Sequence, residues 1–102
     1  MASEVLPAVQ PARVLLIGEQ HTIAKPRAVL GRGKDCDVQV PDANVSRRHA
    51  ELRQEGSTYT LVDLDSTNGI MVGDRRVKEL TLEDGMRFTL GSTEIVFSQE
   101  LR

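Results

Sequence analysis

Short apolar runs separated by glycines recur along the chain. VLLI at 14–17, AVL at 28–30, VQV at 38–40, YTLV at 59–62, IMV at 70–72, RFTL at 87–90 and EIVF at 94–97 carry the hydrophobic side chains, and Gly18, Gly31, Gly56, Gly69, Gly73, Gly85 and Gly91 punctuate them. Runs this short, with a turn signal every ten residues or so, predict an all-β sandwich or barrel. Gly73-Asp74, between Val72 and Arg75, predicts a tight hairpin, because glycine takes the positive φ that such turns require. Ahead of the first run, MASEVLPAVQP holds two prolines and no period. A flexible tail or linker remnant is therefore expected over 1–11, one domain over 12–99 and a short C-terminal tail over 100–102.

One stretch conflicts with an all-strand reading. SRRHAELRQEG at 46–56 has the marks of a helix: Ser46 as N-cap, Arg47 and Glu51 four apart, and Gly56 as terminator. The face of such a helix would carry only Val45, His49 and Leu52, a thin apolar stripe. Ala50 and Leu52 alternating with Glu51 and Arg53 suit a half-buried strand equally well. Local pattern leaves both open.

Composition narrows the function classes. A chain of 102 residues, 39% hydrophobic and 27% charged, suits one ordinary core. Two Phe, one Tyr and no Trp leave that core to Val, Leu and Ile, and supply few platforms for stacking single-stranded nucleic acid. The lone Cys36 forms no internal disulfide, and no cationic segment followed by an apolar stretch opens the chain, so a reducing cytoplasm is expected. No run approaches the ~20 apolar residues of a membrane span, which predicts a soluble piece without direct membrane insertion.

Charge is distributed unevenly. From Lys25 to Arg48, six basic residues (Lys25, Arg27, Arg32, Lys34, Arg47, Arg48) stand against Asp35, Asp37 and Asp42, a local excess of +3, so the remainder carries −5 of the net −2. A basic cluster on an acidic body suits a discrete anion such as one phosphate better than a long polyanion.

Three segments hold the polar residues hardest to explain as surface: LGRGKDCDVQV at 30–40, NVSRRHAEL at 44–52 and DLDSTNGIMV at 63–72. In the first, Gly31 permits an unusual backbone angle or a close approach, and Arg32 offers a planar fork of donors matched to phosphate oxygens. Alone, Arg32 reads first as one more solvated arginine. In the second, Ser46 can donate a hydroxyl to a phosphate oxygen and Arg47 adds charge. His49 invites a Ser–His nucleophile reading, but no acid orients it and no nucleophile elbow surrounds the serine, so a bracing role is favoured. In the third, Ser66-Thr67-Asn68-Gly69 reads as a turn, with an Asn68 amide able to pair with both C=O and N–H of an extended peptide. Cys36, His21 and His49 show no metal-ligand spacing and no oriented acid–base pair is evident, so no metal, no cofactor and no catalytic residue are expected.

Taken together, GR, then SRRH after thirteen residues, then STNG after sixteen more, resembles the forkhead-associated (FHA) domain, from about Val14 to Phe97 and including the closing LEDGMRFTLGSTEIVF. The resemblance implies an FHA-type β-sandwich of about eleven strands with binding loops at one end, which captures phosphothreonine peptides. It makes 49–55 a strand. It also implies that Arg32 and Ser46 hold the phosphate, that Arg47 lends charge, that Thr67 contacts the phosphate or the phosphothreonine, and that Asn68 grips the peptide backbone. Gly31, His49 and Gly69 would shape the site without touching ligand. Asn44 would sit where some members read the third residue after the phosphothreonine, and its neutrality argues for an apolar or mixed preference there. A γ-methyl pocket, contributing roughly 1 kcal/mol, would favour phosphothreonine over phosphoserine.

VLLIGEQHTIAKPRAVLGRG is similar to the C-terminal FHA domains of actinobacterial scaffold proteins. That similarity implies Ser/Thr kinase or pseudokinase segments and kinase substrates as partners, with the isolated domain a monomer. Ser3 but no threonine precedes Thr22, so self-inhibition through the tail is not expected. The alternatives are a phospho-independent scaffold domain of the same fold and, less favoured, nucleic-acid binding through Lys25 to Arg48.

Overall fold

The computed structural model describes residues 12–99; the tails expected over 1–11 and 100–102 lie outside the described residues. Within that span the regular structure is eleven strands and no helix. They are β1 (Ala12–Leu16), β2 (Glu19–Ile23), β3 (Arg27–Gly31), β4 (Val38–Gln39), β5 (Ala50–Glu55), β6 (Thr58–Asp63), β7 (Ile70–Val72), β8 (Arg75–Val77), β9 (Glu79–Leu82), β10 (Arg87–Leu90) and β11 (Thr93–Gln99). Six form one sheet in the order β2-β1-β11-β10-β7-β8, and five form the other in the order β4-β3-β5-β6-β9. Every pairing is antiparallel except that of β3 with the short edge strand β4.

Period-two alternation explains how the sheets face each other. Ala12, Val14 and Leu16 of β1, Phe88 and Leu90 of β10, and Ile95 and Phe97 of β11 point inward from the first sheet. From the second come Ala28 and Leu30 of β3, Ala50 and Leu52 of β5, and Tyr59 and Leu61 of β6. Each fully buried aliphatic or Phe side chain contributes about 1.5–3 kcal/mol, so this interleaved layer is the main source of stability. Tyr59 and Phe97 meet across it with ring centroids 5.3 Å apart and planes tilted by 55°, a geometry suited to their opposed quadrupoles.

The helical features of 46–56 are overridden. Residues 50–55 form a six-residue antiparallel register with β6 and a second register with β3, and those ladders bury Ala50 and Leu52 on one face. Arg47 and Glu51 do not meet as they would on a helix. Glu51 instead takes Arg53, two residues on and on the same strand face, at 2.6 Å. Strands β2, β8 and β9 were not signalled by the apolar runs, since EQHTI, RRV and ELTL carry few inward hydrophobes. Val72 pairs with Arg75 across the Gly73-Asp74 turn, with φ +62° at Gly73. The run at 14–17 ends one residue early: Ile17 leaves β1 and enters a turn with φ +49°, leaving its side chain exposed.

Antiparallel pairing brings the end of β3, the start of β5, the end of β6, the start of β7 and the turn between β10 and β11 to one end of the sandwich. No helix of the described residues is long and apolar enough to cross a membrane.

Candidate functional site

Gly31 ends β3 where the chain runs against the loop leading into β5. A Cβ at Gly31 would strike the backbone carbonyl of Arg47, so glycine is required there for close approach. That approach creates a ladder between loops: Arg32 N–H donates to Ser46 O at 2.9 Å and Gly33 N–H to Arg47 O at 3.0 Å. Arg32 Nε also donates to Val45 O at 3.0 Å. The guanidinium is thereby anchored through Nε, which leaves its two terminal nitrogens to meet a ligand.

His49 is buried among these loops with 0% exposure. Its Nδ1 accepts the Ser46 N–H at 3.0 Å, so the ring carries its proton on Nε2 and donates to Gly69 O at 2.7 Å. One imidazole therefore ties the loop before β5 to the loop before β7. Its backbone extends the brace, donating to Leu30 O and accepting from Leu64 N–H, both at 2.9 Å. This position leaves no role as a nucleophile's base.

Ser46 Oγ accepts the Thr67 N–H at 3.1 Å, an arrangement that frees the serine hydrogen to donate to an anion. The turn carrying Thr67 is built by Ser66, which is 8% exposed. Its hydroxyl accepts from Gly69 N–H at 2.8 Å and donates to the Asp63 carboxylate. Gly69 has φ +76°, and a Cβ there would collide with the Arg76 side chain, which reaches Thr67 O at 3.4 Å. Asn68 Nδ2 donates to Asn44 O at 2.7 Å, using one of its two amide hydrogens.

Asn44 is held from the opposite side. Its N–H meets Asp42 Oδ1 at 2.8 Å and its Nδ2 meets Ser92 Oγ at 2.8 Å. The second Asp42 oxygen accepts from Ser92 N–H at 2.8 Å and Thr93 Oγ1 at 2.7 Å. These bonds favour the ionised form and hold the Asp42 carboxyl below the ordinary carboxylate range, the Asn44 N–H foremost. Gly91 completes the brace by packing against the Asn44 backbone, where a Cβ would come within 2.8 Å of the carbonyl carbon.

Between these loops lies an open recess of about 740 Å³. The six side chains expected to contact ligand, Arg32, Asn44, Ser46, Arg47, Thr67 and Asn68, all line it. Arg48, Ala43 and Val45 complete the lining, so three arginines and no carboxylate face the recess. The supporting glycines and His49 lie directly behind it. Lys25 belongs elsewhere: it precedes β3 at the opposite end of that strand and pairs with Asp37 at 2.7 Å. The sequence cluster of six cations is thus divided, and a smaller arginine group faces the recess. Sequence alone assigns no site role to Asp42, Asp63, Ser66, Arg76 or Gly91; the capacity of Ser66 to bond backbone in a turn and the place of Gly91 between two apolar runs are the only signals. Among the described residues, no group of three or more His, Cys, Asp or Glu side chains could hold a metal ion.

The family model for the FHA domain matches residues 28–91. The FHA domain-containing protein FhaA of Mycobacterium tuberculosis is 40% identical over 79 residues, covering 78% of this chain and 15% of that protein. Glycogen accumulation regulator GarA of Mycolicibacterium smegmatis is 36% identical over 80 residues, covering 78% of this chain and 51% of that protein. The chain thus spans about half or less of these relatives. A structure from a study of phosphothreonine-dependent FHA domain interactions superposes with a TM-score of 0.84 at 35% identity, covering 90% of this chain and 99% of the other.

Proposed function

The chain belongs to the FHA-domain family, and on that premise we propose that it captures a phosphorylated threonine of a partner protein in the recess between its loops. The observation that carries this reading is a lining with three arginines, two hydroxyl side chains, two asparagines and no carboxylate. A phosphate bears about −1.5 to −2 charges and three acceptor oxygens, which this donor set complements. Arg32 supplies the planar fork, Ser46 a hydroxyl hydrogen, and Arg47 additional positive charge. Thr67 contacts the phosphate or the phosphothreonine, Asn68 binds the adjacent peptide backbone, and Asn44 faces a residue further along. Partners are phosphorylated segments of Ser/Thr kinases, pseudokinases or kinase substrates, met by a monomeric domain in the cytoplasm. A solved complex of the FhaA FHA domain with the intracellular domain of Rv3910 supports a protein partner for such a domain.

Calorimetry with matched phosphothreonine, phosphoserine and unmodified peptides tests the proposal. Binding should require the phosphate and favour phosphothreonine. Arg32→Ala should cost about 2–5 kcal/mol, the usual loss when one member of a desolvated charge pair is removed. Equal affinity for phosphorylated and unmodified peptides, or an Arg32→Ala variant that binds like the wild type, would sink it.

A further inference from the structure

A second recess, of about 440 Å³, adjoins the first and shares Arg32 and Arg47 with it. Its other lining residues are Gly33, Lys34, Asp35 and Gln39, so three cations stand against one carboxylate. It lies on the flank of the two arginines away from Asn44 and Asn68, which line only the first recess. Its walls are held in place. Gly33 N–H donates to Arg47 O at 3.0 Å, Cys36 N–H to Gly33 O at 3.2 Å, and Cys36 Sγ–H to Arg47 O at 3.0 Å. Gln39 Nε2 donates to Arg32 O at 3.1 Å, fixing the floor.

We propose that this recess is a second anion subsite, centred on Lys34, for a negatively charged residue flanking the phosphothreonine on one side. The inference rests on the phosphothreonine reading above. One phosphate in the first recess leaves Lys34 without a ligand, since Lys34 does not line that recess. Arg32 is tethered through Nε to Val45 O, and the Arg47 backbone is fixed through its carbonyl to Gly33 and Cys36, so both residues stand at the boundary between the recesses, which they line in common. A peptide occupying both recesses therefore places two anions about the same pair of arginines, with Lys34 offsetting the repulsion between them and Asp35 limiting the net gain. Either a carboxylate or a second phosphate satisfies this chemistry.

The test is calorimetry at low salt with a phosphothreonine peptide of otherwise neutral sequence and a series carrying one glutamate or one phosphoserine at each flanking position. Affinity should rise about threefold for glutamate and about tenfold for phosphoserine, at positions on one side only. Raising the ionic strength to 1 M should erase the rise. Lys34→Ala should remove most of the gain while leaving the neutral peptide's affinity unchanged, and Asp35→Asn should enlarge it. A gain from phosphoserine alone identifies a second phosphate as the ligand, and a gain from both identifies any anion. Equal gains on both flanks, or a gain that survives Lys34→Ala, overturn the subsite while leaving the phosphothreonine reading intact. Failure of the neutral phosphothreonine peptide to bind overturns both.

Discussion

The turn between β7 and β8 and the loops that line the recess are both irregular segments between strands, yet they are held in opposite ways. At Gly73-Asp74 the chain reverses over two exposed residues, and a Cβ at Gly73 would meet nothing within 4 Å. Backbone preference alone makes that turn. Around the recess, the bonds that join one loop to another span long stretches of sequence: His49 to Gly69 over 20 positions, Ser46 to Thr67 over 21, and Asn44 to Asn68 over 24. Two polar side chains are buried here: His49 makes the link to Gly69, and Ser66 shapes the turn that carries Thr67. A loop that must present donors in a fixed array cannot rely on local propensity, and buried polar groups supply the specificity because leaving any one unpaired is costly.

The largest contrast should come from His49→Ala. It removes a buried ring and strands the Ser46 N–H and the Gly69 carbonyl, for a loss of about 3–4 kcal/mol in urea unfolding. Phosphopeptide affinity should fall as well under conditions where the variant remains folded, because Ser46 and the Thr67 turn lose their common brace. A loss no greater than that of a surface turn mutation would erase the distinction between the two regions.

Asp42→Asn probes the same loops through pH. Its carboxyl titrates lower in the folded protein than in the unfolded chain, so the folded state binds that proton less readily. The resulting stability is fully present above the unfolded value of about 3.9 and is lost as pH falls through the lower folded value. Chemical unfolding of wild type and Asp42→Asn should therefore show a gap at pH 7 that closes progressively below about pH 4. A gap of constant size down to strongly acid pH would assign the effect to something other than the carboxylate.

Gly73→Ala should have the smallest effect, about 1 kcal/mol from the left-handed backbone alone, with phosphopeptide affinity unchanged. A comparable loss of binding would mean that the β7–β8 hairpin couples to the site, most directly through Arg76.

Residue type marks the loops, and the resemblance to the FHA domain supplies the roles. Arg32, Ser46, Thr67 and Asn68 fall in polar loops next to apolar runs, but singly Arg32 reads as a solvated arginine and Thr67 and Asn68 as parts of a turn, so only their joint spacing is specific. Asp42 could not be read this way. It resembles any loop acid until the fold brings Ser92 within 2.8 Å of it from 50 positions away. Within the basic stretch from Lys25 to Arg48, sequence alone does not separate Lys25 from Arg32, which the length of β3 sets apart. Gly31 could be marked as special, but whether for its torsion or for its lack of a side chain depended on where Arg47 lay.

The strand periods, the hairpin at Gly73 and the inward hydrophobic set follow from the order of residues, because alternation and turn chemistry act over a few positions. The fate of 46–56 does not. Its capping and spacing favour a helix locally, and only the hydrogen-bond ladders to β3 and β6, together with burial of Ala50 and Leu52 between two sheets, outweigh that preference. The recess is likewise a tertiary product. Its donors converge because antiparallel pairing brings the end of β3, the start of β5, the end of β6 and the start of β7 to one edge of the sandwich, where a buried histidine fixes the loops that sequence leaves far apart.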